Sequence, residues 1–162
     1  MKQIETYRLS PFDVANWFTC SLDREAGDSI THLKLQKLLY YAQAWSLALN
    51  SVALFEDDFE AWAHGPALPA VYQEYKDYGF DTIPSCECEN KIKGDVEEVL
   101  KEVNRVYGEL SAKKLEYLTH NEKPWVEARN GIASEKSSNA IITKESMLHF
   151  YSKLLNEQEA EE

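Results

Sequence analysis

The sequence predicts a mainly α, single compact helical domain of about six to eight helices, with at most one short strand pair. Three observations carry this. Apolar residues recur at three- and four-residue spacing along most of the chain, residue types that favour helix starts stand in front of those stretches, and period-two alternation is confined to a few residues near position 60. No internal repeat is present.

The elements follow in order. Leu9-Ser10-Pro11-Phe12-Asp13-Val14 is a dense helix-start signal. Ser10 can cap, Pro11 suits the first helical position because its missing N–H would be unpaired there, and Leu9 can staple onto Val14. This helix is expected to reach Leu22, before a turn at Gly27-Asp28. Thr31 caps a second, central helix on Leu35, Leu38, Leu39, Ala42, Trp45 and Leu49. Leu33 and Tyr41 widen its apolar face, so it is expected to be covered on more than one side, and Asn50 is the expected left-handed stop.

Residues 53–63 read as irregular or briefly extended, with Phe59, Ala61 and Ala63 alternating against Glu60 and Trp62, and His64-Gly65-Pro66 breaks the chain. Pro69 opens a helix with Val71, Tyr72, Tyr75 and Tyr78 on one stripe and Gly79 as its stop. The stretch 81–94 is the expected surface loop. Further helices are expected over Asp95–Gly108, after Ser111, and from Pro124 to Gly131. Asn139–Ile142 reads as a short strand. Thr143 caps the last helix, with Met147, Phe150, Tyr151, Leu154 and Leu155 inward. The domain is thus expected to span 1–155, and the acidic stretch 156–162 to fray.

Composition narrows the function classes. The chain carries 17 Lys and Arg against 28 Asp and Glu, a formal net charge of −11. A protein that tracks a phosphate backbone needs a positive footprint, so direct nucleic-acid binding is not expected. No apolar stretch is long enough to span a membrane, and the first residues lack the apolar centre of a signal peptide. The three cysteines, Cys20, Cys86 and Cys88, do not suggest a secreted disulfide framework, so a cytoplasmic setting is expected. Cys20 is accounted for as a small buried thiol on the first helix.

The usual catalytic patterns are missing from the sequence. His32, His64, His120 and His149 fit no zinc-binding spacing, and Cys86-Glu87-Cys88 has no second pair to complete a ligand set. No nucleophile elbow or phosphate-binding glycine loop occurs. No metal, cofactor or catalytic residue is therefore expected, although an enzyme using His64 and His120 remains conceivable if folding joins them.

Three clusters are left over after helix burial. They are Trp62-Ala63-His64-Gly65-Pro66; Leu118-Thr119-His120-Asn121 with Lys123-Pro124-Trp125 and Ala128-Arg129; and Tyr40-Tyr41 with Gln43 and Trp45. On one reading, His120, Trp125 and Arg129 pin neighbouring helices while Trp45 and Trp62 lie in the core. On the other, these amphipathic aromatics and Arg129 line a protein-binding surface, where such side chains act as energetic anchors.

These same blocks carry a family resemblance. LKLQKLLYYAQAW (33–45), Leu54-Phe55, EAWAHGPALPAVY (60–72), YKDYG (75–79) and LTHNEKPWVEAR (118–129) resemble, in order and spacing, the Panacea domain family of SocA-like and GepA-like phage-associated proteins. Ala67 stands where the pattern has Val, and Asn50 where a Gly commonly follows the central helix. The loop around Cys86 and Cys88 matches nothing in the pattern. The resemblance implies an antitoxin of a bacterial or prophage toxin–antitoxin system, without enzymatic activity, that binds a cognate protein toxin encoded by a neighbouring gene. One branch of the family instead acts as an adaptor delivering its toxin to a cytoplasmic AAA+ protease. Motif membership and amphipathic character mark Tyr40, Tyr41, Gln43, Trp45, Trp62, His64, Gly65, Pro66, Tyr72, Thr119, His120, Pro124, Trp125 and Arg129 as candidate toxin-binding or motif residues.

Overall fold

The computed structural model describes residues 3–84 and 91–161, so Cys86 and Cys88 lie outside the described residues. In chain order the elements are β1 (Glu5–Thr6), α1 (Pro11–Cys20), α2 (His32–Asn50), β2 (Val52–Ala53), β3 (Phe59–Trp62), β4 (Gly65–Ala67), α3 (Pro69–Tyr75) with a 3₁₀ turn (Lys76–Tyr78), α4 (Asp95–Tyr107), α5 (Ala112–His120), α6 (Lys123–Arg129), β5 (Ile141–Ile142) and α7 (Lys144–Ala160).

The helix starts follow local chemistry. Ser10 accepts from the Phe12 N–H while Asp13 reaches back to the Ser10 N–H, a reciprocal cap. Thr31, Ser111 and Thr143 each accept a backbone N–H three residues on. Pro11, Pro69 and Pro124 occupy first-turn positions, where a missing N–H costs nothing. The stop of α2 differs from expectation. Ser51, not Asn50, takes the left-handed conformation, at φ 58°, because Asn50 still belongs to the helix.

The fold is mainly α, as expected, but its sheet content exceeds one strand pair. β1 pairs with β2 in parallel, and β3 pairs antiparallel with β4 on one edge and β5 on the other. Period-two patterning marks only β3, since strands of two residues are too short to show a pattern. The expected break at His64-Gly65-Pro66 is a tight hairpin: Trp62 faces Gly65 across a two-residue turn, and Gly65, at φ +103°, opens β4. α7 runs on to Ala160, so the stretch expected to fray from Asn156 is helical and exposed. Cys20, at the half-buried end of α1, is disulfide-bonded, which corrects the expectation of a buried free thiol.

α2 is the axis. α1, α3, α4, α5 and α7 all pack against it, and thirteen of its nineteen residues are buried. A helix covered on several sides cannot leave polar groups unpartnered without a penalty of about 1–3 kcal/mol each. Four buried polar side chains on α2 bond to the backbone that follows it. Ser46 donates to the Val52 carbonyl at 2.6 Å. Gln43 accepts from the Leu54 N–H at 2.7 Å and donates to the Phe55 carbonyl at 3.0 Å. Lys37 donates to the Pro66 carbonyl at 3.1 Å. Gln36 accepts from the Leu68 N–H at 2.8 Å and donates to its carbonyl at 3.1 Å. These contacts tie residues 52–68 to the axis, and with them the hairpin that carries the first candidate cluster.

Candidate functional site: the hairpin, its supports and the adjoining aromatic face

The β3–β4 hairpin is held from three sides. From above, the Trp125 indole of α6 donates to the Trp62 carbonyl at 2.9 Å. Arg129, only 1% exposed, donates to the Ala61 carbonyl at 2.6 Å and to the carbonyls of Ala133 and Lys136, drawing the following loop against β3. Its guanidinium also lies over the Trp125 ring, 4.7 Å from the centroid, and the His120 ring stacks on Trp125 at 3.9 Å. From below, Gly65 packs directly on Lys37 and Thr119: an added Cβ would sit 2.5 Å from Lys37 Cε and 2.9 Å from Thr119 Oγ1. At the tip, His64 Nδ1 lies 3.0 Å from Glu116 Oε1, and Lys113 reaches the same carboxylate at 3.3 Å.

Burial sets the electrostatics. Lys37 is fully enclosed, and desolvation pushes its ammonium down to about 7 despite the attraction of Glu116. Desolvation works to raise the Glu116 carboxyl, but the hydrogen bonds and charges of His64 and Lys113 outweigh it and hold the group below its usual value. Burial also lowers His120 and His32.

The third cluster forms a separate network. Tyr41 and Tyr151 both donate to Glu122 Oε1, at 2.7 and 2.8 Å, and the Tyr151 and Tyr40 hydroxyls lie 3.2 Å apart. Trp45 donates to the Tyr107 hydroxyl at 3.0 Å, and Tyr107 stacks on Tyr41 at 4.0 Å. Desolvation raises the Glu122 carboxyl against the two phenol hydrogen bonds, and raises the Tyr40, Tyr41 and Tyr151 phenols.

The candidate residues therefore divide. Tyr40, Tyr41, Gln43, Gly65, Pro66, Thr119, Pro124, Trp125 and Arg129 are buried and hold the fold together. Their side chains are turned away from solvent, and for Trp125 and Arg129 the pinning role describes the structure. Trp45, Trp62 and His120 are half-buried, between the core that one reading gives Trp45 and Trp62 and the surface that the other gives them. His64, with its side chain 72% exposed, and Tyr72, 38% exposed, face outward. His64 and His120 are engaged separately, with Glu116 and with Trp125. Among the described residues no group of three or more His, Cys, Asp or Glu side chains is placed to hold a metal ion, and no helix is long and apolar enough to cross a membrane.

Sequence reasoning passed over Gln36, Lys37, Glu116 and Glu122. A usable signal existed for the glutamines: Gln36 and Gln43 stand seven apart, on one face of a helix otherwise apolar there. It also passed over the outer end of an aromatic row. Trp62 meets Tyr72 edge-on at 5.1 Å, Tyr72 meets His32 at 5.6 Å, His32 meets Tyr75 at 6.2 Å, and Tyr75 meets Tyr78 at 6.3 Å. Two residues on, Phe80 is 95% exposed.

Comparison with known proteins agrees with the motif blocks. The family model described as "Antitoxin SocA-like, Panacea domain" matches residues 35–126, more than half of the chain. The span runs from α2 through the hairpin and α5 into α6. Among curated proteins, Antitoxin SocA of Caulobacter vibrioides (strain NA1000 / CB15N) is 30% identical over 115 residues, which is 63% of this chain and 61% of that relative. The chain thus matches about three fifths of the length of that curated relative. No solved structure matches.

Proposed function

Because the chain belongs to the SocA-like antitoxin family defined by the Panacea domain, we propose that it is the antitoxin of a bacterial or prophage toxin–antitoxin pair and neutralises a cognate protein toxin by binding it directly. The family match over residues 35–126 carries this reading. Physical chemistry supports it. Toxins that act on tRNA, ribosomes or nucleotides need cationic, anion-binding surfaces, and a chain at −11 is attracted to such a surface. Two buried cations of the motif blocks, Arg129 and Lys37, are spent on backbone carbonyls and so hold the fold. On this reading the protein works in the cytoplasm, breaks no bond, and acts by covering its partner.

A second reading within the family is a proteolytic adaptor that hands the toxin to a AAA+ protease. The feature that favours it is the end of α7, where residues 156–161 are exposed on every side and offer a segment for an unfoldase to engage.

Co-expression tests the proposal. The polypeptide encoded beside this gene is induced alone, with this chain, and with this chain ending at residue 155. The proposal expects growth arrest alone and full recovery in both co-expressions. Recovery that needs residues 156–162 and an intact protease supports the adaptor, and a harmless neighbouring product removes both readings.

A further inference from the structure

The aromatic row on α3 and its 3₁₀ extension is built unlike the rest of the surface. Trp62, Tyr72, His32, Tyr75 and Tyr78 touch ring to ring, and the chain then turns through Gly79 to place Phe80 almost wholly in solvent. This face is anchored. The Ile83 N–H donates to the Ile30 carbonyl at 2.8 Å and the Thr82 hydroxyl bonds Ile30, so the segment returns to the start of α2 rather than hanging free. Tyr117 on α5, an exposed aromatic outside the row, stands under the Lys114 ammonium and has no ring partner among the described residues.

Carboxylates neighbour the row, Glu60 by contact and three others in sequence. Glu60 adjoins Trp62 and accepts from its indole N–H at 2.8 Å; Glu74 precedes Tyr75, Asp77 precedes Tyr78, and Asp81 follows Phe80. Glu74, Asp77 and Asp81 are exposed and, among the described residues, none pairs with a cation. Lys76 is the single Lys or Arg between positions 60 and 84. Aromatic faces with carboxylates beside them attract guanidinium and ammonium groups twice over, through the negative ring faces and through charge pairing.

We infer that this row, from Trp62 through Tyr72, Tyr75 and Tyr78 to Phe80, is the surface on which the chain receives its protein partner, and that the partner presents a basic, arginine-bearing face to it. The inference rests on the antitoxin reading for its partner, and it gives that reading a location. The rings supply the buried anchor area and the four carboxylates fix the sign of the partner's charge. Two candidates from the motif blocks, Trp62 and Tyr72, stand at one end of this row; Phe80, outside those blocks, follows its other end, Tyr78, by two positions in the chain.

The test uses the full-length chain and two probes. The first is the purified polypeptide encoded by the adjacent gene; the second is a synthetic twelve-residue peptide alternating arginine and leucine. Three variants are compared with the parent: Tyr72→Ala/Tyr78→Ala/Phe80→Ser, Glu74→Lys/Asp77→Lys/Asp81→Lys, and Tyr117→Ala as a control surface change. All alter exposed side chains, and thermal melts establish that they fold. The expected result is a loss of affinity for the first probe of at least tenfold in each triple variant and none in Tyr117→Ala, with amide shifts on peptide binding concentrated at 62 and 72–80. If the parent binds the adjacent product and both triple variants bind it equally well, the antitoxin reading stands and this location is overturned. If the parent ignores that product, the antitoxin reading fails, and the peptide decides the surface: shifts spread over the chain or absent from 72–80 overturn it.

Discussion

Gly65 is where the motif's glycine becomes a physical requirement. Its φ of +103° is closed to ordinary side chains, and Lys37 and Thr119 occupy the space where a Cβ would go. Lys37 cannot swing aside, because it is enclosed and its ammonium is committed to the Pro66 carbonyl. Gly65→Ala is expected to cost about 2–4 kcal/mol in urea denaturation, combining backbone strain and overpacking. Gly27→Ala, at a positive φ but with nothing near its Cβ, isolates the backbone part at roughly 1–2 kcal/mol. Equal losses at the two positions would mean that the packing under the hairpin does not matter. Lys37 also gives the fold a pH signature. Its ordinary value is 10.5 and burial takes it to about 7, so between those values the unfolded chain holds the extra proton. Stability therefore rises with pH across that window, and the cost of burying the charge is fully present below pH 7. Above about pH 10 the trend reverses, since the phenols of Tyr40, Tyr41 and Tyr151 ionise more readily unfolded. From pH 6 to pH 10 the stability of the parent relative to Lys37→Met is expected to improve by about 3–5 kcal/mol. Parallel pH profiles for the two proteins would contradict an enclosed, charge-strained lysine.

At the scale of elements, α2 does the organising, and much of what it organises is irregular backbone. Gln43 closes both polar groups of the Leu54–Phe55 turn, standing in for a neighbouring strand. Gln43→Leu leaves a buried N–H and a buried carbonyl without partners and is expected to cost about 2–4 kcal/mol, with faster amide exchange at Leu54. Unchanged exchange there would show that Gln43 is not what fixes the turn. The helices were legible because their signals are local: Ser10, Thr31, Ser111 and Thr143 cap the helices they are expected to cap. β1 and β2 were not, since two residues hold no period and their pairing joins Glu5 to Val52 across α1 and α2. Nor were the buried partners of Tyr40, Tyr41 and Arg129. A polar-tipped side chain reads as surface until its partner is known, and for Tyr41 that partner, Glu122, lies 81 positions away. The same logic hid Phe80: an aromatic beyond a glycine stop shows no helical spacing, and only the turn back to Ile30 fixes it at the surface.

Across the whole molecule, two features bear on recognition: a strong negative charge and one anchored aromatic face within it. The charge acts at long range and the rings at contact, so they should separate kinetically. Raising ionic strength from about 50 to 500 mM is expected to slow association with the adjacent gene product by tenfold or more, because the Debye length contracts from over 10 Å to a few Å. Dissociation should change by less than about threefold. An association rate indifferent to salt would remove the steering role of the −11 charge.

Titration of the adjacent gene product's activity with this chain, in a purified system containing no protease, tests direct neutralisation most immediately. Activity is predicted to fall linearly to background at a fixed molar ratio of the two polypeptides, with both recovered intact as a complex. Activity that persists at saturating amounts of this chain, and disappears only when a AAA+ protease and ATP are supplied, would contradict neutralisation by binding alone.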